Sequence, residues 1–233
     1  MEPNDKKQQT EDKDARKIKM YPEIEESTEK TVLKEPAAAY NGQYTYEDYL
    51  SWTDNKMREI INGFVYTFAA PVLKHAKATA YFLVKMANFI YGRKRKGNCQ
   101  IFHAPFDVRL PLNGETDDDK IYNVVQPDIC VVCDPSKLDD RGCIGAPDLI
   151  IEVQSPSTAK RDLDEKFHLY EQAGVGEYWV VFPKDKAVTV YLLQPDGRYN
   201  AGTTYEVLND DKKIPVDTLK GLFIDMDELF EEI

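Results

Sequence analysis

The chain has 233 residues, of which 42% are hydrophobic, and its formal net charge is −11. This length supports one domain with a substantial core, and no apolar run approaches the roughly 20 residues of a membrane span. The negative charge argues against a dedicated non-specific nucleic-acid binder, because such binding depends on neutralising phosphates, but it allows an enzyme with a local basic surface.

The N-terminal region differs in composition from the rest of the chain. Residues 1–38 are rich in Lys, Glu, Asp and Gln and contain few large apolar residues, so we expect a disordered, charged tail, with a partner-binding tail as the alternative. The folded domain is predicted over residues 39–233. No apolar region typical of a signal peptide follows Met1, so we expect a cytoplasmic location and no membrane partner.

The first predicted elements are a helix, a hairpin and a longer helix. Residues 45–52 predict a short helix, with Thr45 as its N-cap and Asp48 in the capping box. Residues 59–68 predict a hairpin that turns at Asn62-Gly63. Residues 74–91 predict a helix. The apolar stripe of this helix is predicted to contain Ala76, Ala80, Leu83, Val84, Ala87 and Ile90.

The second part of the chain predicts several strands and two further helices. Strands are predicted over residues 100–110, 128–133, 148–154, 177–182, 187–193 and 205–208. A helix is predicted from about residue 158 to 173, stopped by Gly174, and the C-terminal end is also predicted to be helical. These elements predict an α/β fold with a mixed central sheet flanked by helices.

Two Pro-Asp dipeptides, Pro127-Asp128 and Pro147-Asp148, each open an apolar strand, and the second strand contains Glu152 in its middle. A buried ionised carboxylate is costly unless it is paired, and a metal ion is a common partner. If the two strands pair, Asp128 and Glu152 approach each other, which predicts a divalent-cation site. For both aspartates the alternative is a simple turn residue after proline, whereas turn chemistry does not explain Glu152.

Lys166 lies inside the apolar stripe of the helix that follows Glu152. Its stem could pack while its ammonium reaches water, which is a common arrangement. Alternatively, the ammonium points back at the carboxylates and stabilises charge on a phosphoryl oxygen or orients a water. The second alternative requires residues 128, 152 and 166 to converge on a pocket that is open to solvent.

The cysteines and the basic residues give weaker signals. Four cysteines are present, Cys99, Cys130, Cys133 and Cys143, and we expect them to be free and packed as small apolar groups. Cys130 and Cys133 resemble a CxxC motif, but positions three apart on a strand face opposite ways, which argues against zinc ligands. The basic run contains Arg93, Lys94, Arg95 and Lys96. This run, and His75 upstream of it, could contact nucleic acid, or they could be a solvated helix end and a structural histidine.

Several motifs in the same order resemble those of a known family. They include Glu59-Ile-Ile-Asn-Gly63, Gln126-Pro-Asp128, Pro147-Asp-Leu-Ile-Ile-Glu152, Asp164-Glu-Lys166 and Gly174-Val-Gly-Glu-Tyr-Trp179. Together they resemble the PD-(D/E)XK nuclease superfamily and, more closely, its Uma-type family of restriction endonucleases. The resemblance extends over about residues 44–200.

This resemblance implies a restriction-endonuclease-like core and cleavage of DNA phosphodiester bonds that depends on Mg²⁺, or on Mn²⁺. It implies Asp128 and Glu152 as metal ligands, Glu59 as a further acid, and Gln154 at the position where the superfamily has its lysine. Lys166 would then supply the missing charge. Because cutting both strands of a duplex invites two-fold symmetry, a homodimer is also expected. The uncharged Gln154 leaves a second alternative, a catalytically degraded module on the same fold that binds nucleic acid or protein.

Overall fold

A computed structural model describes residues 43–54, 56–68, 70–92, 97–155, 161–210, 212–231 and 233. The boundary predicted at residue 38 lies outside these residues and stays a prediction. The α-helices of the described residues are α1 (Tyr46–Ser51), α2 (Leu73–Tyr91), α3 (Lys166–Ala173) and α4 (Met226–Glu231). The strands are β1 (Arg58–Ile61), β2 (Phe64–Thr67), β3 (Gln100–His103), β4 (Val108–Arg109), β5 (Val124–Val125), β6 (Ile129–Val132), β7 (Leu138–Asp139), β8 (Gly142–Ile144), β9 (Leu149–Val153), β10 (Glu177–Phe182), β11 (Ala187–Leu192), β12 (Thr203–Glu206), β13 (Lys213–Pro215) and β14 (Phe223–Asp225).

The strands form two six-stranded sheets and one small hairpin. The central sheet has the order β12-β11-β10-β9-β6-β3, and it is mixed because β9 and β10 run parallel while its other neighbours are antiparallel. The first sheet has the order β2-β1-β5-β4-β8-β7, and β13 pairs with β14 in a separate two-stranded sheet. The predicted mixed sheet flanked by helices is therefore confirmed.

The two faces of the central sheet bury different layers. Leu149, Ile151 and Val153 of β9 lie in one core cluster with residues of α2 and of the C-terminal elements. Ile150, on the opposite face, belongs to a second cluster that contains residues of α3 and of the first sheet. This alternation is the one expected for successive strand residues, and it directs Glu152 toward the second cluster. The candidate site thus lies between the two sheets and α3.

The turn and capping signals near the start of the fold are confirmed. Thr45 and Asp48 form a reciprocal capping box at the start of α1. Asn62 and Gly63 both have positive φ, as the two-residue hairpin turn between β1 and β2 requires. A Cβ atom at Gly63 would also lie 2.9 Å from Cβ of Gln43, so any other residue at this position would crowd Gln43.

The predicted bounds of α2 are nearly correct, but its predicted apolar stripe is correct only in part, since it contains Leu83, Ala87 and Ile90 of the core-facing side but misses the other buried residues. Its buried residues are Ala78, Phe82, Met86 and Ile90, whereas Val84 is 58% exposed. The ring of Phe82 packs edge-on against Trp179 of the central sheet, with centroids 6.0 Å apart. Because α2 carries apolar residues around most of its circumference, the sequence alone does not reveal which side faces the sheet.

The observed strands differ from the predicted ones in several places. The strand predicted over residues 100–110 is divided between the two sheets, and Pro105, which cannot donate to a ladder, lies between β3 and β4. The segment between the two Pro-Asp strands contains β7 and β8, which the sequence analysis missed. The short strand predicted at 205–208 lies two residues earlier, as β12.

The expectation of free cysteines holds for only two of the four. Cys99 and Cys133 form a disulfide, while Cys130 and Cys143 are free and buried. The disulfide joins positions just outside β3 and β6, whose antiparallel register pairs Gln100 with Val132. The pairing is long-range, so the CxxC spacing in the sequence gave no indication of it.

A buried carboxylate joins the C-terminal elements to the central sheet. Glu177, at the start of β10, is 1% exposed. Its oxygens accept hydrogen bonds from Trp179 Nε1 and from the backbone N–H groups of Asp217 and Thr218, at 2.7–3.0 Å.

Among the helices of the described ranges, none has both the length and the hydropathy that crossing a membrane requires.

Candidate active site

The two strands that open with Pro-Asp are neighbours in the central sheet. β6 and β9 are antiparallel, with Ile129 opposite Ile151 and Cys130 opposite Ile150. One step further along this register, Asp128 lies opposite Glu152. The predicted approach of these two acids from adjacent backbones therefore agrees with the observed strand pairing.

Helix α3 directs two side chains at the carboxylate of Glu152. Lys166 Nζ and the Tyr170 hydroxyl both donate to Oε1 of Glu152, at 2.8 Å and 2.7 Å. The two donors are four residues apart, so they lie on the same side of the helix. Lys166 therefore points at the carboxylates, and the alternative in which its ammonium reaches water is wrong.

Lys166 also binds the first sheet. Its Nζ lies 2.8 Å from Oε1 of Glu59 in β1, so one ammonium bridges two carboxylates from two different sheets. Glu59 Oε1 also accepts the backbone N–H of Gln126 at 2.8 Å. A buried charge is tolerated when it is paired and hydrogen-bonded in this way.

The pocket expected to be open to solvent is closed. Glu59, Glu152 and Lys166 are 0%, 4% and 3% exposed, respectively. At the edge of the site, the side chains of Asp128 and His75 retain 17% and 15% of their accessible surface. The site therefore has a buried ionic centre and a partly exposed rim.

At that rim, Asp128 is held from two directions. Its Oδ2 accepts the backbone N–H of Val153 at 2.7 Å and lies 3.1 Å from Nε2 of His75, in the first turn of α2. Asp148 forms the matching contact at the other end of the strand pair, where its Oδ2 accepts the N–H of Cys133. The structural alternative is therefore favoured for Asp148, whereas Asp128 also contacts the histidine.

Gln126 extends the site toward α1. Its side-chain Nε2 donates to Asp107 Oδ1 at 2.8 Å and lies 3.1 Å from the Tyr49 hydroxyl. Burial raises the pKa of Tyr49, and the charge of Asp107 acts in the same direction. The backbone N–H of Gln126 donates to the same oxygen of Glu59 that Lys166 contacts, so this network also helps to hold the acid.

The remaining predicted site residues are Gln154 and the basic run. Gln154 follows β9, is half-buried and donates its backbone N–H to Val181. Its side-chain amide forms no hydrogen bond with the residues that the structure describes. Arg93, Lys94, Arg95 and Lys96 lie outside the described residues, so their predicted contact with nucleic acid stays a prediction.

The sequence analysis did not identify Tyr170, Gln126 or Asp107 as site residues. Tyr170 had a usable signal, since it follows Lys166 by one helical turn on the same stripe, and Gln126 belongs to the Gln-Pro-Asp motif. Burial raises the pKa of the Tyr170 hydroxyl well above its ordinary value, and the charges of Glu152 and Glu59 act in the same direction. Tyr170 therefore remains a protonated donor at neutral pH.

The oxygen atoms of this site are of the type that a hard divalent cation binds. Within the described ranges, no three acid, histidine or cysteine side chains form a cluster that could hold a metal ion. Magnesium, however, keeps several waters and needs only one or two carboxylates. Oε2 of Glu59 is buried and has no hydrogen-bond donor among the described residues, so it is an oxygen that a cation or its water could engage. The residues present therefore fit the implied Mg²⁺ or Mn²⁺.

The chain is similar to known proteins in sequence and in fold. The model of the Uma2 family, described as "Putative restriction endonuclease", matches residues 46–227. The uncharacterized protein slr1290 of Synechocystis is 25% identical over 185 residues, which cover 76% of this chain and 91% of that protein. The crystal structure of "a putative nuclease belonging to DUF820" from Anabaena variabilis matches with a TM-score of 0.63 and 18% identity, over 81% of this chain and 98% of that one. At this identity the likeness concerns the fold, and it confirms the predicted restriction-endonuclease-like core.

Proposed function

The chain belongs to the Uma2 family, and from that premise we propose that it is a metal-dependent endonuclease that hydrolyses phosphodiester bonds of DNA. The observation that carries this proposal is the ammonium of Lys166, held at 2.8 Å from the carboxylates of both Glu59 and Glu152. The lysine lies on a helix and the two acids lie on strands. A fixed positive charge beside carboxylates is a combination that suits metal-assisted phosphoryl chemistry.

In this proposal Asp128 and Glu152 hold Mg²⁺ or Mn²⁺, with Glu59 as a nearby third acid. A bound cation would make a coordinated water more acidic and would offset negative charge on the phosphate. Lys166 contributes a fixed positive charge beside the developing phosphoryl charge. Gln154, which lies on the same strand face as Glu152, can hydrogen-bond a water but cannot supply charge.

The closed centre means that the substrate cannot reach Lys166 without movement of neighbouring side chains. Phe68, just beyond β2, has its ring centroid 6.0 Å from Lys166 Nζ. Tyr66 of β2 donates its hydroxyl to Glu165, the residue before α3. The β1–β2 hairpin is therefore joined to α3 next to the site, and we propose that it moves when DNA binds.

The test is a cleavage assay on plasmid and single-stranded DNA with Mg²⁺, Mn²⁺, Ca²⁺ or EDTA. Glu152→Gln keeps an acceptor for Lys166 and Tyr170 but removes the charge that a cation needs. Losing several kcal/mol of transition-state stabilisation corresponds to a loss of about 100-fold or more in rate. Glu206→Gln, at an exposed position of β12, is the matched control and should cut like the wild type.

A second function is favoured by two observations at the same site. Gln154 carries no charge, and Lys166 is already paired with two carboxylates and almost fully buried. These features suit a module that binds nucleic acid or protein without cutting. Salt-sensitive DNA binding that is unchanged by Glu152→Gln, with no cleavage under any metal, would support this function over the endonuclease.

A further inference from the structure

The hydroxyl of Tyr170 donates to a carboxylate oxygen that already has another donor. The residue is completely buried, and its hydroxyl donates to Oε1 of Glu152 at 2.7 Å. This oxygen already accepts the ammonium of Lys166 at 2.8 Å. A buried tyrosine needs only one acceptor, and the backbone supplies many; Tyr199, for example, donates to the carbonyl of Val175 at 2.9 Å.

Two donors on one oxygen have a geometric consequence for the carboxylate. The terminal torsion of a glutamate is broad, so a carboxylate with a single donor can rotate over a wide range. Lys166 and Tyr170 approach the same oxygen from positions one helical turn apart on α3, and together they fix the position of Oε1 more closely than one donor would. Helix α3 therefore helps to set the orientation of this carboxylate.

We infer that Tyr170 is a positioning residue, whose hydroxyl sets the orientation in which Glu152 meets a divalent cation. The inference rests on the proposed function, since that function assigns the cation to Glu152 and Asp128. Hydrogen-bonded partners of metal ligands commonly change metal affinity by about 10–100-fold when they are removed. In this arrangement Lys166 contributes a positive charge, whereas the neutral hydroxyl of Tyr170 contributes only to the orientation of the Glu152 carboxylate.

The test compares Tyr170→Phe with Tyr199→Phe, because each removes one buried hydroxyl and its hydrogen bond while only the first touches Glu152. Mn²⁺ binding to the full chain is measured by isothermal titration calorimetry. Tyr170→Phe should weaken binding by about 10-fold or more, whereas Tyr199→Phe should bind as the wild type does. In cleavage assays Tyr170→Phe should lower kcat and leave the KM for DNA unchanged.

The outcomes separate this inference from the proposed function. Unchanged Mn²⁺ affinity in Tyr170→Phe overturns the inference, whether or not the protein cuts DNA. Mn²⁺ binding without cleavage by the wild type contradicts the endonuclease, while the affinities of the two variants still decide the role of Tyr170. A wild type that binds no Mn²⁺ overturns both.

A second substitution covers the case in which Tyr170→Phe does not fold. Incorporating 3-fluorotyrosine at position 170 keeps the ring and the hydroxyl but makes the hydroxyl a stronger donor. Mn²⁺ affinity should then differ from that of the wild type, and the same substitution at position 199 should have no effect. Equal affinities at both positions would overturn the inference.

Discussion

The ammonium of Lys166 lies 2.8 Å from Oε1 of Glu59, and this contact joins helix α3 to the first hairpin inside the protein. Both side chains are almost inaccessible to solvent, at 3% and 0% exposure. Since Lys166 also holds Glu152, a single positive charge compensates two negative ones. The stability of the fold and the chemistry of the candidate site therefore depend on the same side chain.

Lys166→Met should destabilise the protein strongly. The substitution keeps an apolar stem of similar length but leaves Glu59 and Glu152 without a positive charge between them. Removing one partner of a buried ion pair costs about 3–5 kcal/mol, because an uncompensated buried charge remains. Urea denaturation followed by circular dichroism measures this loss of unfolding free energy.

Two further variants test the cause of that loss. The double variant Glu59→Gln/Lys166→Met removes one of the two carboxylate charges and should recover part of the stability. Lys213→Met, at an exposed position of β13, should change the unfolding free energy by less than about 0.5 kcal/mol. If Lys166→Met is as stable as Lys213→Met, the buried ionic centre described above is incorrect.

Glu177→Gln should loosen the C-terminal elements. Its two carboxylate oxygens accept three N–H groups, and a glutamine has only one oxygen to offer and places an NH₂ group against a donor. Leaving a buried donor unsatisfied costs about 1–3 kcal/mol. Hydrogen exchange should show faster exchange at the amides of Asp217 and Thr218, whereas Glu206→Gln should leave those amides protected.

The four cysteines should differ in reactivity toward Ellman's reagent. Cys99 and Cys133 are joined, and burial raises the pKa of the Cys143 thiol to about 11 and that of Cys130 well above its ordinary value. Because the thiolate is the nucleophile, the native oxidised protein should show almost no fast-reacting thiol, and the unfolded protein should show two. Fast reaction of a thiol in the native protein would contradict these assignments.

The raised pKa of Cys143 also sets a pH dependence. A group whose pKa is higher in the folded state stabilises the fold below its unfolded pKa of roughly 8.5. That contribution is lost as the pH rises through about 11. Unfolding free energy should therefore decline between about pH 9 and pH 11, and the decline should be smaller in Cys143→Ala than in the wild type.

Reduction of the disulfide should lower the stability of the fold. The bond closes a loop over a sequence separation of 34 residues, for which a contribution of about 2–4 kcal/mol is typical. Dithiothreitol should lower the Tm of the wild type and leave the Tm of the Cys99→Ala/Cys133→Ala variant unchanged. An equal response of both proteins would mean that Cys99 and Cys133 are not joined.

Local sequence signals predicted the local parts of the fold. The capping box at Thr45, the turn at Asn62-Gly63 and the C-cap at Gly174 each depend on residues close in sequence, and the structure confirms all three. The buried side of α2, the strands β7 and β8, and the disulfide depend on partners distant in sequence. No pattern within a single segment carries that information.

The candidate site also combines features that local sequence predicts with features that depend on distant parts of the chain. The cost of burying Glu152 and the unusual place of Lys166 in an apolar stripe pointed to two of its residues, and the structure places them in contact. Sequence reasoning did not reveal that Glu59 shares the lysine, because β1 and α3 meet only when the two sheets stack. It also did not reveal the closed centre, since exposure is a property of the assembled layers.

The paired contacts of Asp128 and Asp148 have a consequence for mutational surveys of this chain. Each carboxylate accepts a backbone N–H at the end of the opposite strand, from Val153, the last residue of β9, in one case and from Cys133, just after β6, in the other. Replacing either one would disturb strand register, so a screen scored on turnover alone would rank them as equals. Asp128 differs from Asp148 in having His75 3.1 Å from its Oδ2, so folding data must accompany any such screen to tell the two motifs apart.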